Sequence, residues 1–280
     1  MINTKLIKME ENEAFALEMA SKIWKDGGLV AFPTETVYGL GANGLDEQAA
    51  VKIYAAKGRP SDNPLILHIA QKRQVRPLVK EISKVGEQLM DTFWPGPLTL
   101  IFPKADCVPY KTTGGLDTVA IRMPSHPQAR KLLEAVQLPI AAPSANLSGR
   151  PSPTTANHVW EDMNGRIDLI VDGGAVGIGV ESTIIDLTEE VPTILRPGYI
   201  TKEMLEAIVG EVKIDPAIMG VLRPDIHPKA PGMKYRHYAP KAPVILVEGK
   251  TDAVIHFING QIQERGVNTV GVIATEETKE

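Results

Sequence analysis

KIYAAKGRPSDNPLILHI, residues 52–69, passes from helix to strand within one stretch and decides how the chain is read. Ala50, Ile53 and Tyr54 recur at helical spacing behind Asp46, a residue type that caps helix N-termini. Gly58 is the residue on which a helix can turn left-handed and stop, and Pro60 cannot continue one. After Pro64, the apolar run Leu65-Ile66-Leu67 has the character of a short buried strand. Between helix and strand lie Lys57, Arg59, Ser61, Asp62 and Asn63, two of them cationic. A solvated loop fits this composition, and so does a loop built to hold an anion. Lys57 follows Ile53 by four residues and Tyr54 by three, so its stem runs along the apolar stripe. It either favours the helix dipole and snorkels outward, or turns inward toward an anion.

The same alternation extends in both directions. Ala16, Leu17, Ala20, Ile23 and Trp24 predict a helix that stops at Gly27-Gly28, and "LVAF" (29–32) a strand that ends at Pro33. Further strands are predicted at "LTLIF" (98–102), "TVAIR" (118–122), "PIAA" (139–142), "DLIV" (168–171), "STIIDL" (182–187) and "TILR" (193–196). Helices are predicted at "PQARKLLEAV" (127–136) and "TKEMLEAIV" (201–209). Helices alternating with β-rich runs give an α/β fold on a twisted, open, mixed sheet. The first domain takes residues 1–210. Residues 211–242 are proline-rich and without periodicity, which reads as an extended linker. Residues 243–280 hold "VILVEG", a helix over about 251–265 and "TVGVIA": one Rossmann-like β-α-β unit, too little chain for a complete doubly wound domain.

Composition narrows the function classes. Hydrophobic residues are 43% of the 280 and charged residues 23%, as in globular enzymes. No apolar run approaches the roughly 18 residues of a membrane span, so no membrane partner is expected. "MINTKLIKMEENEAF" turns acidic where a signal peptide is apolar, so the expected location is the cytoplasm. A single cysteine, Cys107, excludes internal disulfides and cysteine-clustered zinc. A net charge of -4 argues against generic nucleic-acid binding, and 5% aromatics against a base-stacking platform.

Polar motifs sit where the strands end: Pro33-Thr34-Glu35-Thr36, Met123-Pro124-Ser125, Pro143-Ser144-Ala145-Asn146 and Pro197-Gly198. Ligands of open α/β sheets bind beyond the carboxyl ends of strands. Singly, each motif reads as a turn or helix cap; their recurrence points to a polar pocket. Arg122 and Arg196 end otherwise apolar strands, where each needs an oxyanion ligand or an internal carboxylate. His68, inside a strand, is by default a core histidine. "GGAVGIGVEST" (173–183) has neither the G-x-G-x-x-G nor the P-loop spacing, and no zincin motif or nucleophile elbow is present. The residues indicate anion binding with positioned hydroxyls.

Seven motifs in order, "PTETVYGLG", "KGRPSDNPLILHI", "WPGPLTL", "AIRMP", "APSANLSGRPSPT", "GVESTIID" and "ILRPG", resemble the YrdC family over about residues 12–208. Lys57-x-Arg59 and Ser144-x-Asn146 match its signature pairs. The resemblance, in a longer two-domain form with "KYRHYAP" in the linker, implies an enzyme that joins L-threonine, bicarbonate and ATP into threonylcarbamoyl-adenylate and pyrophosphate, with Mg2+ on the ATP. The product would feed N6-threonylcarbamoylation of tRNA adenosine at position 37 through separate transferase proteins. Carried over, Lys57 and Arg59 are the catalytic pair. Lys57, Arg59, Ser61, Thr118, Ser144, Asn146, Ser152 and Arg196 surround ATP, and Tyr235 and His237 in the linker close over it. Thr34, His68, Arg122, Ala142 and Ser182 surround threonine. The resemblance leaves the metal ligands unassigned. An RNA-binding module without adenylate chemistry is the competing reading, since some members have a basic concave surface that implies weak tRNA binding. The YrdC-like unit of hydrogenase maturation proteins comes with cysteine-rich zinc motifs, which this chain lacks.

Overall fold

The computed structural model describes residues 2–218 and 242–274. They fall into two compact units that divide at residues 239/240. The first is built on strands β1 (Lys5–Lys8), β2 (Val30–Phe32), β3 (Gly39–Asn43), β4 (Ile66–His68), β5 (Leu98–Pro103), β6 (Thr118–Arg122), β7 (Ile140–Ala141), β8 (Leu169–Asp172), β9 (Thr183–Asp186), β10 (Thr193–Arg196) and β11 (Lys213–Ile214). They form one sheet in the order β1-β8-β2-β3-β7-β4-β6-β5-β9-β10-β11. Pairing is mixed, as the alternation of elements implies: β4 with β6 and β5 with β9 are parallel, whereas β2 with β3 and β5 with β6 are antiparallel.

Helices α1 (Glu13–Lys25), α2 (Glu47–Lys57), α3 (Lys84–Phe93), α4 (Tyr110–Thr113), α5 (Pro127–Val136), α6 (Ala156–Met163) and α7 (Lys202–Val209) belong to this unit. Successive strand residues point to opposite faces, so each strand feeds two cores. Val30, Phe32, Ile140, Ala142, Leu169 and Val171 pack with Ala16, Ala20 and Trp24 of α1 and with Leu132, Leu133 and Val136 of α5. Ala31, Ala141 and Ile170, one residue out of phase, join Ile53 and Tyr54 of α2, Leu89 of α3, Val159 of α6 and Leu205 of α7.

The structure adds elements that periodicity does not mark. β3 runs through Gly39 and Gly41, which carry no side-chain pattern. A Cβ on Gly41 would stand 2.7 Å from Ile140 Cγ2 and 3.1 Å from the Trp24 ring, so glycine here lets the core close on the strand. β11 lies inside the stretch read as linker: it pairs in parallel with β10, and Val212 before it is buried. In the second unit, α8 (Thr251–Arg265) forms over the expected range. Its flanking apolar runs join no ladder among the described residues, and Val244, Leu246 and Ile273 stand exposed. No described helix is long and apolar enough to cross a membrane.

Candidate active site

α2 ends as its sequence dictates. Gly58 takes the left-handed conformation (φ 61°), and Arg59 N–H donates to Tyr54 O at 3.0 Å. The Tyr54 hydroxyl then donates to Asn63 O at 3.1 Å, and the Arg59 guanidinium to Pro64 O at 3.2 Å. These bonds fold the polar loop back on its own helix and bring Arg59 to the wall of a cleft. That cleft, about 540 Å³ including its mouth, is lined by Arg59, Arg122, Arg196, His68, Ser144, Ser182 and Glu181, together with Thr34, Thr36 and Ala142. Three guanidinium groups against one carboxylate make it a cationic recess in a chain of net charge -4.

His68 and Arg122 are register partners on the parallel strands β4 and β6, so both arrive at the same level of the sheet. Arg122 is 4% exposed; its Nη2 lies 2.6 Å from Glu35 Oε1, and its Nη1 donates to Thr36 Oγ1 at 2.9 Å. Thus the internal-carboxylate alternative for Arg122 is realised, and it coexists with a place in the cleft wall. Burial pushes the Glu35 carboxyl up, but the Arg122 guanidinium outweighs this and holds its pKa below the usual value. Arg196 reaches the cleft through a register shift between Ile194 and Arg196 that re-aims the strand end. Its Nη2 donates to Ser182 Oγ at 3.1 Å, which in turn meets Thr99 Oγ1 at 2.8 Å.

The loop bearing Ser144 is tied to β3 and its approach: Ala145 N–H donates to Tyr38 O and Leu40 N–H to Pro143 O, each at 2.8 Å. The two signature side chains around it do not line the cleft. Lys57 Nζ turns inward but donates to the carbonyls of Ser144 and Asn146, each at 2.5 Å. The Asn146 amide donates to Leu147 O and Arg150 O at 2.8 Å. Ser61 is exposed outside the cleft, Thr118 lies at the far end of β6 from Arg122, and Ser152 donates to the Glu181 carboxylate. Tyr235 and His237 lie outside the described residues.

The family model described as "Telomere recombination", Sua5_yciO_yrdC, matches residues 22–198. The chain belongs to the Sua5–YciO–YrdC family. A second model, described as "Threonylcarbamoyl-AMP synthase, C-terminal domain", matches residues 200–280. Relatives in this family include the threonylcarbamoyl-AMP synthase of Pyrococcus abyssi, 55% identical over 269 residues (95% of this chain, 78% of the relative). That of Bacillus subtilis is 52% identical over 262 residues (93% and 74%). Among solved structures, P. abyssi Sua5 complexed with L-threonine superposes with a TM-score of 0.88 at 52% identity, over 99% of this chain and 81% of that one. E. coli YciO superposes at 0.63 and 26% identity, over 71% and 97%.

In and around this cleft of a Sua5–YciO–YrdC family member, sequence reasoning passes over four residues. Glu35 and Thr36 frame Arg122, and Glu181 is the cleft's carboxylate. Asn63 is 1% exposed, and neither polar atom of its amide has a hydrogen-bond partner among the described residues. A buried amide with both polar atoms unsatisfied is uncommon in a folded protein. Asn63 stands in the polar loop after α2 that also carries Arg59, but only the fold shows it to be buried.

His68 yields a prediction. Its Nδ1 faces Ile66 O at 3.1 Å and so carries the proton, and its ring stands edge-on to Phe32. Burial, and then the Arg122 charge, lower its pKa from 6.5 to about 3. A depressed folded pKa means the unfolded chain binds more protons between pH 6.5 and about 3, so stability falls as pH drops through that window. His68 is expected to cost about 2–3 kcal/mol between pH 6.5 and 4.5. Urea midpoints of wild type and His68→Gln at the two pH values check this; an equal loss in both would refute it.

Proposed function

We propose that this chain joins L-threonine, bicarbonate and ATP into threonylcarbamoyl-adenylate and releases pyrophosphate, supplying the activated group for tRNA modification by separate transferase proteins. The observation that carries the reading is the convergence of Arg59, Arg122 and Arg196 on one cleft with Ser144 and Ser182. Two ends of that cleft suit two anions. At one, the Arg122 fork takes the threonine carboxylate, with Thr34, His68, Ala142 and Ser182 around the rest of the amino acid. At the other, Arg59, Ser144 and Arg196 take the nucleotide phosphates, and Ser152, bonded to Glu181 of the cleft wall, stands beside them.

The chemistry asks for placement. Threonine's amine and bicarbonate give a carbamate, whose oxygen attacks the α-phosphorus while pyrophosphate leaves. Arginine donors fixed around the cleft stabilise the charge that gathers on the phosphoryl and leaving-group oxygens. Holding three reactants together supplies several of the roughly 7–11 kcal/mol available from proximity. Magnesium enters as part of the nucleotide. Among the described residues no three His, Cys, Asp or Glu side chains cluster into a metal nest, and Glu181 alone of the cleft-lining residues is a carboxylate. This donor set fits an ion carried on the triphosphate rather than one held by the protein.

Pyrophosphate release from ATP, measured with each substrate omitted in turn, tests the proposal. Release is expected only when threonine and bicarbonate are both present. Release that persists without either one sinks the reading, and salt-dependent tRNA binding without such turnover would favour the RNA-binding alternative.

A further inference from the structure

We infer that Lys57 and Asp162 act together as positioning residues: they clamp the 143–150 turn that presents Ser144 to the cleft, and neither touches substrate. Lys57 closes the turn from one side. Its Nζ gathers the carbonyls of Ser144 and Asn146, at 2.5 Å each, and its own carbonyl accepts from Ser148 N–H at 2.9 Å. Two carbonyl dipoles converging on one point repel each other unless a donor sits between them, so the bend at residues 144–146 depends on this amine. Asp162, on α6, closes it from the other side. Its Oδ2 accepts from Leu147 N–H at 3.0 Å, and its Oδ1 pairs with Arg150 Nη1. Asn146 staples the middle through its amide to Leu147 O and Arg150 O.

Burial separates this role from phosphate binding. Lys57 is 2% exposed and Asp162 8%, and neither lines the cleft that Arg59 and Ser144 line. The helix that delivers Arg59 to the wall therefore delivers Lys57, two residues earlier, to the turn behind the wall. One α2 terminus sets both the guanidinium and the serine loop opposite it, which gives the two signature pairs a mechanical reason to occur together. Asp162 is the third part of that device and lies outside both pairs.

The inference rests on the proposed reaction only in its kinetic arm. In the first arm, amide hydrogen exchange of the ligand-free full chain is followed at residues 143–150. Lys57→Met and Asp162→Asn should each speed exchange there about tenfold, and Arg59→Gln should leave it unchanged. Lys57→Gln is the second variant should the methionine protein not fold. In the second arm, Lys57→Met should lower kcat/KM for ATP about 100-fold, the cost of a serine loop displaced by about 1 Å. The double variant with Asp162→Asn should be no worse than Lys57→Met alone, because both act through one turn. Wild-type exchange at 143–150 in the lysine variants, or effects that multiply in the double variant, overturns the inference. If wild type itself releases no pyrophosphate, the proposed reaction fails while the exchange arm still decides the clamp.

Discussion

Arg122→Ala is expected to raise the threonine concentration needed for half-maximal pyrophosphate release by about 100- to 1,000-fold, the usual cost of removing a buried, hydrogen-bonded charge from a carboxylate. The KM for ATP should move far less, because the proposed nucleotide end rests on Arg59 and Arg196, which line the cleft from other elements. The same change strips Glu35 of its partner 2.6 Å away and leaves a buried carboxylate, so stability should fall by about 3–5 kcal/mol. Arg122→Lys separates the two effects. It keeps a charge near Glu35 but loses the two-pronged fork, so threonine dependence should stay poor while much of the stability returns. An Arg122→Ala protein that folds and keeps its threonine dependence would remove Arg122 from the carboxylate role.

Gly198→Ala should be strongly damaging for a change of a single methyl group. A Cβ there would lie 2.5 Å from Glu181 O, 2.6 Å from Thr183 N and 2.8 Å from Ser182 C. All three are backbone atoms, so the contact cannot be relieved by swinging a side chain. The strand start at 181–183 and the strand end at Arg196 must part, and Ser182 and Glu181 move with them. Overpacking of this kind costs about 1–3 kcal/mol. A shift of about 1 Å in groups that place substrate costs about 100-fold in rate. Thermal melts paired with steady-state rates check this, and a variant with wild-type melting and turnover would show that the two segments part without consequence.

Much of this could be read from the chain because the signals were local. The run Ile66-Leu67-His68 and the stretch Thr118–Arg122 announce strands, and the prolines after Phe32, Arg122, Ala142 and Arg196 announce where the polar ends lie. β3 is silent by the same logic, since Gly39 and Gly41 have no side chains to alternate. The spacing of Lys57 puts its stem on the apolar stripe but leaves open whether its charge turns outward or inward. What it meets inside, two carbonyls of a loop 87 and 89 residues away, depends on tertiary pairing. Glu35 is hidden for a related reason: in sequence it is one acid in a Pro-Thr-Glu-Thr turn, and only the fold sets it against Arg122. Asn63 is hidden differently: an amide in a polar loop looks solvated until its burial is known.

The sheet order also sets a timetable. β5 pairs with β6 on one side but with β9 on the other, and β9 carries the cleft's last wall with β10. During synthesis, Thr34, Arg59, His68, Arg122 and Ser144 have all emerged before Ser182 and Arg196 exist to face them. At about 5–20 residues per second, β5 waits several seconds with one edge unpaired. The recess lined by three arginines therefore completes late, only once β9 has docked on β5 and β10 has brought Arg196 to face the rest.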